Sequence, residues 1–177
     1  MEELKSLSVF YYAFSELFLG KDLYYINLVC KNLSSSDYSQ NALNILNHIN
    51  TKRLEEELEF LEREVSLLER DYRAVDREQL LKLYENYGFT LEEGYEPDHL
   101  GVEIRFLSLL CLEEDPSKAY INQYRFIHNR LDWLRNLEDA LKAKEFLAVN
   151  DSLSFLRTFL RDHKAFLMGE LKITLQD

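Results

Sequence analysis

Leu54, Leu58, Leu61, Val65 and Leu68 follow one another at steps of four, three, four and three residues. A helix returns a side chain to the same face about every 3.6 residues, so this spacing lays one apolar stripe along a helix that begins at Thr51, with Thr51 as its cap. The stripe runs for roughly two and a half heptads, which is weak support for a two-stranded coiled coil. The same rhythm joins Leu4, Leu7, Tyr11, Phe14, Leu17 and Phe18 in a helix over 2–19 that stops at Gly20. Further helices are expected over 22–33, 38–49, 76–87, 97–112, 117–130, 132–146 and 151–166. A loop or hinge near 72–75 would divide two helical groups, and the closing LKITLQD reads as a frayed tail or a brief extended piece. Only two prolines and five glycines occur in 177 residues, which suits helices with short connections and argues against a turn-rich sandwich. The expected fold is all-α: a single-domain bundle over 1–177 with roughly eight to ten helices.

Apolar residues make up 46% of the chain, enough for a sizeable core. The formal net charge is -11, with 32 acids against 21 bases. DNA and RNA make poor partners for such a surface, because a phosphate backbone calls for a basic one; a basic peptide or protein patch fits better. The segment from Leu54 to Asp71 holds eight acids and two arginines, readable as a solvated outer face or as an acidic docking face. Cys30 and Cys111 form no CxxC pair and sit in apolar surroundings, as buried free thiols of a reducing compartment do. The N-terminus lacks the basic leader of a secretory signal, and no run of eighteen apolar residues occurs; a cytoplasmic protein is expected.

The chemistry concentrates in EPDHLGVEIRF, Glu96 to Phe106. Pro97 fits the first turn of a helix, where its missing N–H costs no bond, and Asp98 would then lie at the positive end of the helix dipole. There it could accept from a free backbone N–H or from a partner's guanidinium. His99 and Glu103 are four apart and so share a face. Leu100, Ile104 and Leu107 fall on another face and read as core, and Gly101 leaves room for a close approach. Asp98, His99 and Glu103 together could serve acid–base chemistry, but no nucleophile elbow and no phosphate-cradling loop accompanies them. His99 and Glu103 could supply two metal ligands, yet HxxxE is not HExxH, and His48, His128 and His163 lie at no recognised spacing. The remaining readings are a polar patch that recognises a peptide beside an apolar groove, and a plain helix start. Trp133 reads as a core anchor or as a groove wall.

EPDHLGVEIRFLSLL resembles the TorD/DmsD/NarJ group of cytoplasmic redox-enzyme maturation chaperones. LLKLYENYGF, Leu80 to Phe89, and the downstream FIHNRLDWLRNLEDAL are similar to that group's flanking helices. The resemblance implies an all-α chaperone that works without turnover and without a cofactor of its own. It would bind the twin-arginine signal peptide, or another part, of a molybdopterin-containing oxidoreductase catalytic subunit, and hold it in the cytosol until cofactor insertion is complete. It is compatible with a monomer or a homodimer. A weak nucleotide interaction has been suggested for the family, and nothing in this sequence independently supports one. Residue by residue, Asp98 and His99 match the family's Asp–His pair, which is associated with signal-peptide recognition. Pro97 matches the proline before the pair, and Glu103 an acidic position on the same helix. Tyr84 and Trp133 match aromatic helix positions, and Tyr72 the aromatic position that closes the central helix. The family's glycine- and proline-rich connector is missing here, where LERDYRAVDREQL stands instead.

Overall fold

Gly101 lies directly against Leu19, at the end of the first helix. A Cβ at this position would stand 2.5 Å from Leu19 Cγ and 3.0 Å from the Leu19 backbone nitrogen. The room that the sequence left beside Gly101 is thus filled by the end of the first helix. In the computed structural model, which describes residues 2–172, the helices are α1 (Glu2–Phe18), α2 (Tyr24–Leu33), α3 (Ser39–Asn50), α4 (Arg53–Glu64), α5 (Arg77–Asn86), α6 (Leu100–Leu110), α7 (Pro116–Arg130), α8 (Leu134–Ala143) and α9 (Leu147–Glu170). A 3-10 turn, Glu69–Asp71, stands between α4 and α5. The fold is an all-α bundle, with nine α-helices and no strand among the described residues. Residues 173–177, most of LKITLQD, lie outside the described residues.

α1 packs most extensively on α6. Ser8 Oγ donates to the Ser108 carbonyl at 2.9 Å, and Arg105 reaches from α6 to Ser15 Oγ at 2.6 Å and Glu16 at 2.5 Å while lying over the Tyr12 ring. α9 runs along the other side of the bundle, against α3, α4, α7 and α8. Phe10, Phe14, Phe155 and Phe159 interlock between α1 and α9. In the same region His163 accepts at Nδ1 from the Tyr11 hydroxyl (2.7 Å) and donates at Nε2 to Gln123 (3.0 Å). Burial pushes its pKa down to about 4, which keeps the ring neutral. Cys30 and Cys111 are buried free thiols.

Several helix ends depart from the spacing. Thr51 closes α3 rather than opening α4: its hydroxyl donates to the Asn47 carbonyl, and Lys52, in the left-handed region at φ 59°, starts the next helix. α4 stops at Glu64, so Val65 and Leu68 leave the apolar stripe while the chain turns extended; Val65 stays buried. Asp76 and Asp115 cap α5 and α7 by accepting from Gln79 N and Ser117 N, with Pro116 in the first turn of α7. α9 begins at Leu147, before Asp151, because its free N–H groups are met from a distance. The Glu57 carboxylate on α4 accepts from the nitrogens of Ala148 and Val149. An acid of the supposed outer face is therefore a helix cap.

Candidate recognition site

α6 begins at Leu100, not at Pro97. Its cap is His99, whose Nδ1 accepts from the Gly101 N–H at 3.0 Å. That bond leaves the ring proton on Nε2, where it donates to Glu62 Oε1 on α4 at 2.8 Å. The hydrogen bond from His99 holds the Glu62 carboxyl below its usual range. Pro97 lies before the helix, and its carbonyl accepts from the buried Tyr84 hydroxyl at 2.6 Å. Just ahead of it, Gly94 turns the chain at φ 88°, a conformation that favours glycine.

The segment after α4 pairs with this helix start. Leu68 and His99 form an antiparallel bridge; Glu69 N donates to the Asp98 carbonyl (2.9 Å) and Leu100 N to the Leu67 carbonyl (2.8 Å). The pairing brings Arg70 against Asp98. Asp98 is 1% exposed, and its carboxylate accepts from Arg70 Nε (2.9 Å), Arg70 Nη2 (2.5 Å) and the Arg70 backbone nitrogen (3.0 Å). Burial alone would raise the Asp98 carboxyl, but these Arg70 bonds outweigh it and hold it below the usual range. Arg70 also reaches Glu96, which in turn meets Arg77.

Behind this pairing lies a second charge cluster. Glu69 is fully buried and accepts from Arg73 Nε (2.7 Å) on its own turn and from Arg130 Nη2 (2.6 Å) at the end of α7. Glu103 is fully buried as well, one turn into α6. Neither of its oxygens has a hydrogen-bond partner of ordinary geometry, nor does the neighbouring Trp133 indole nitrogen. Burial first, then the Glu69 carboxylate beside it, pushes the Glu103 carboxyl well above its usual value; Arg130 and the Trp133 indole pull only partly the other way. Trp133 itself is 1% exposed and stacks on Tyr72 at 5.3 Å, while the Tyr72 hydroxyl donates to the Ser66 carbonyl.

Asp98, His99 and Glu103 thus serve three different sets of partners: Arg70, Glu62 with Gly101, and the interior beside Glu69 and Trp133. His99 and Glu103 share a helical turn, as their spacing indicates, but not a ligand-holding face. No group of three or more histidines, cysteines or acids is arranged to hold a metal ion among the described residues. What opens to solvent beside His99 is a cleft of about 520 Å³ whose charged lining is four carboxylates, Glu62, Glu64, Asp71 and Glu96, against one cation, Arg63, with Glu96 also paired to Arg70 and Arg77 and Tyr95 edge-on to the histidine ring. Glu62, Glu69, Arg70 and Arg130 went unnoticed in the sequence, where they read as ordinary members of charged runs. The 28 residues that separate Arg70 from Asp98 carry no spacing rule that would have joined them.

The family described as nitrate reductase delta subunit matches residues 58–165, more than half of the chain. The chain therefore belongs to this family, the TorD/DmsD/NarJ group, and membership supports a general chaperone role. The matched span runs from within α4 almost to the end of α9 and contains every residue of the site described above. No curated protein and no solved structure matches the chain significantly. No helix among the described residues is long and apolar enough to cross a membrane.

Proposed function

We propose that this protein is a cytoplasmic, non-catalytic chaperone of a molybdopterin-dependent oxidoreductase catalytic subunit. It binds that subunit's twin-arginine leader, or its unfinished body, and holds it while folding and cofactor insertion are completed. The observation that carries this reading is the four-carboxylate cleft beside His99 in a chain of this family. Guanidinium groups pair with carboxylates through two parallel bonds, and a cleft wall screens such pairs less than open surface does. An exposed ion pair contributes only about 0.2–1 kcal/mol, so several must act together with apolar burial to give useful affinity. In this reading Glu62 and His99 meet the leader directly. Pro97, Asp98 and Tyr84 shape the loop that presents them, and Glu103, Tyr72 and Trp133 hold that loop from behind.

Calorimetry with two synthetic leaders tests the proposal, one carrying Arg-Arg and one Lys-Lys at the same place. Wild type should prefer the arginine leader, and Glu62→Lys with Asp71→Lys should weaken it roughly tenfold or more. Both substitutions sit at the surface, so the fold should survive them. Equal affinity for the two leaders, or no loss in the double variant, would remove the cleft from recognition.

A further inference from the structure

A second cleft, of about 530 Å³, lies between α5, α6 and α7 on another face of the bundle. Its apolar lining comes from Leu80 and Leu83 on α5, Phe106 and Leu110 on α6, and Phe126 on α7, with Tyr87 half-exposed at the mouth. On α5, Leu80 and Tyr84 are buried, Tyr84 against Phe106, while Leu83 is only partly buried and borders the cleft with Tyr87. The polar lining consists of side-chain amides and two arginines, Arg125 and Arg130, with no carboxylate. That is unusual in a chain of net charge -11. The cleft beside His99 has four carboxylates, the one beside Leu19 includes Glu92, and the one beside Gly20 includes Glu16, Asp22, Glu55 and Glu59. Arg125 is exposed and forms no ion pair among the described residues. Arg130 gives one nitrogen to Glu69, and its Nε has no hydrogen-bond partner.

From this charge complementarity we propose that the α5–α6–α7 cleft docks an amphipathic segment of a client protein that presents leucine or phenylalanine next to an aspartate or glutamate. The apolar side chains lie against Leu83 and Tyr87, over the buried Phe106 and Leu110, and the carboxylate meets Arg125 at the rim. The occupant is opposite in charge to the basic segment proposed for the His99 cleft, so the two faces would hold different parts of a client. The inference does not depend on the leader reading.

The test uses two labelled amphipathic peptides with the same leucines and phenylalanine, one bearing two glutamates and the other two lysines at those positions. Anisotropy reads the affinity, and methyl spectra of leucine-labelled protein read the place. The glutamate peptide should bind about three- to tenfold more tightly, with shifts centred on Leu83 and Leu110, and Arg125→Glu should invert the preference. Glu62→Lys should leave these affinities unchanged, and Arg125→Glu should leave leader binding unchanged, so failure at one cleft is not failure at the other. Binding of neither peptide, equal binding of both, or indifference to Arg125→Glu would overturn the proposal. So would concentration-dependent self-association abolished equally by Arg125→Glu and by Phe60→Ser. Exposed Phe60 lies on the acid-rich α4, and that result would give the cleft to a second copy of the chain.

Discussion

Two carboxylates that flank His99, Asp98 before it and Glu103 after it, are both almost wholly buried, yet they end in opposite electrostatic states. Asp98 receives a two-nitrogen fork and a backbone N–H from Arg70, whose side chain remains 39% exposed. Glu103 faces another carboxylate, Glu69, which has already drawn the nearby guanidinium groups of Arg73 and Arg130 to itself. Burial disfavours the charged form in both cases; only where a cation is geometrically available does the carboxylate stay below its ordinary pKa. Position along the helix therefore says little about charge. What decides it is which residue of the 67–71 segment stands opposite.

The largest effect should come from the residue that both regions share. Glu69→Ala leaves Arg73 and Arg130 without their buried partner and should cost about 3–5 kcal/mol in urea unfolding, since breaking a buried pair strands the remaining charge. A cost near zero would mean that Glu103 swings over to take the guanidinium groups, and the two regions would then be one exchangeable network. Asp98→Asn should cost less, about 1–3 kcal/mol, because Arg70 keeps its exposed side and its contact with Glu96. The sign of its pH dependence is fixed by the direction of its shift. A carboxyl lowered in the folded state stabilises above its unfolded pKa, and that contribution is lost as pH falls through the folded value. Wild type should therefore lose more stability than Asp98→Asn on acidification below the unfolded aspartate range. Parallel acid profiles would show that Arg70 does not hold the charge.

The bundle was legible because apolar spacing is local: Leu54, Leu58 and Leu61 declare a helix whatever surrounds them. Ends were read well where a cap lies in the adjoining sequence, as at Asp76 and Asp115. They were read poorly where the cap is tertiary, as for α9, whose start depends on Glu57 from another helix. The same limit governs the site. EPDH draws attention to the turn before α6, but a helix pattern continued back to Pro97 hides the extended pairing of Leu68 with His99. Without that pairing Asp98 reads as an open acceptor, and the segment that supplies Arg70 reads as the tail of a solvated face. Burial of Glu69 and Glu103 is invisible to composition, since a charged run gives no sign of which member turns inward.

The smallest effect, and the most discriminating, should come from Glu103→Gln. An amide has nearly the shape of a protonated carboxyl, so at mildly acidic pH the substitution should change stability by less than about 1 kcal/mol. The difference lies in the slope. The Glu103 carboxyl is raised in the folded state, so its contribution is fully present below the unfolded carboxyl pKa and is lost as pH rises towards the folded value. Over that window the unfolded chain gives up the proton while the folded one keeps it. Wild type should lose stability relative to Glu103→Gln as pH rises from the ordinary carboxyl range through neutrality, the reverse of the trend set by Asp98. Urea midpoints of the two proteins across this range would show the crossing. Superimposable profiles would mean that Glu103 is charged in the folded protein and paired with Arg130, and the contrast between the two carboxylates would fall.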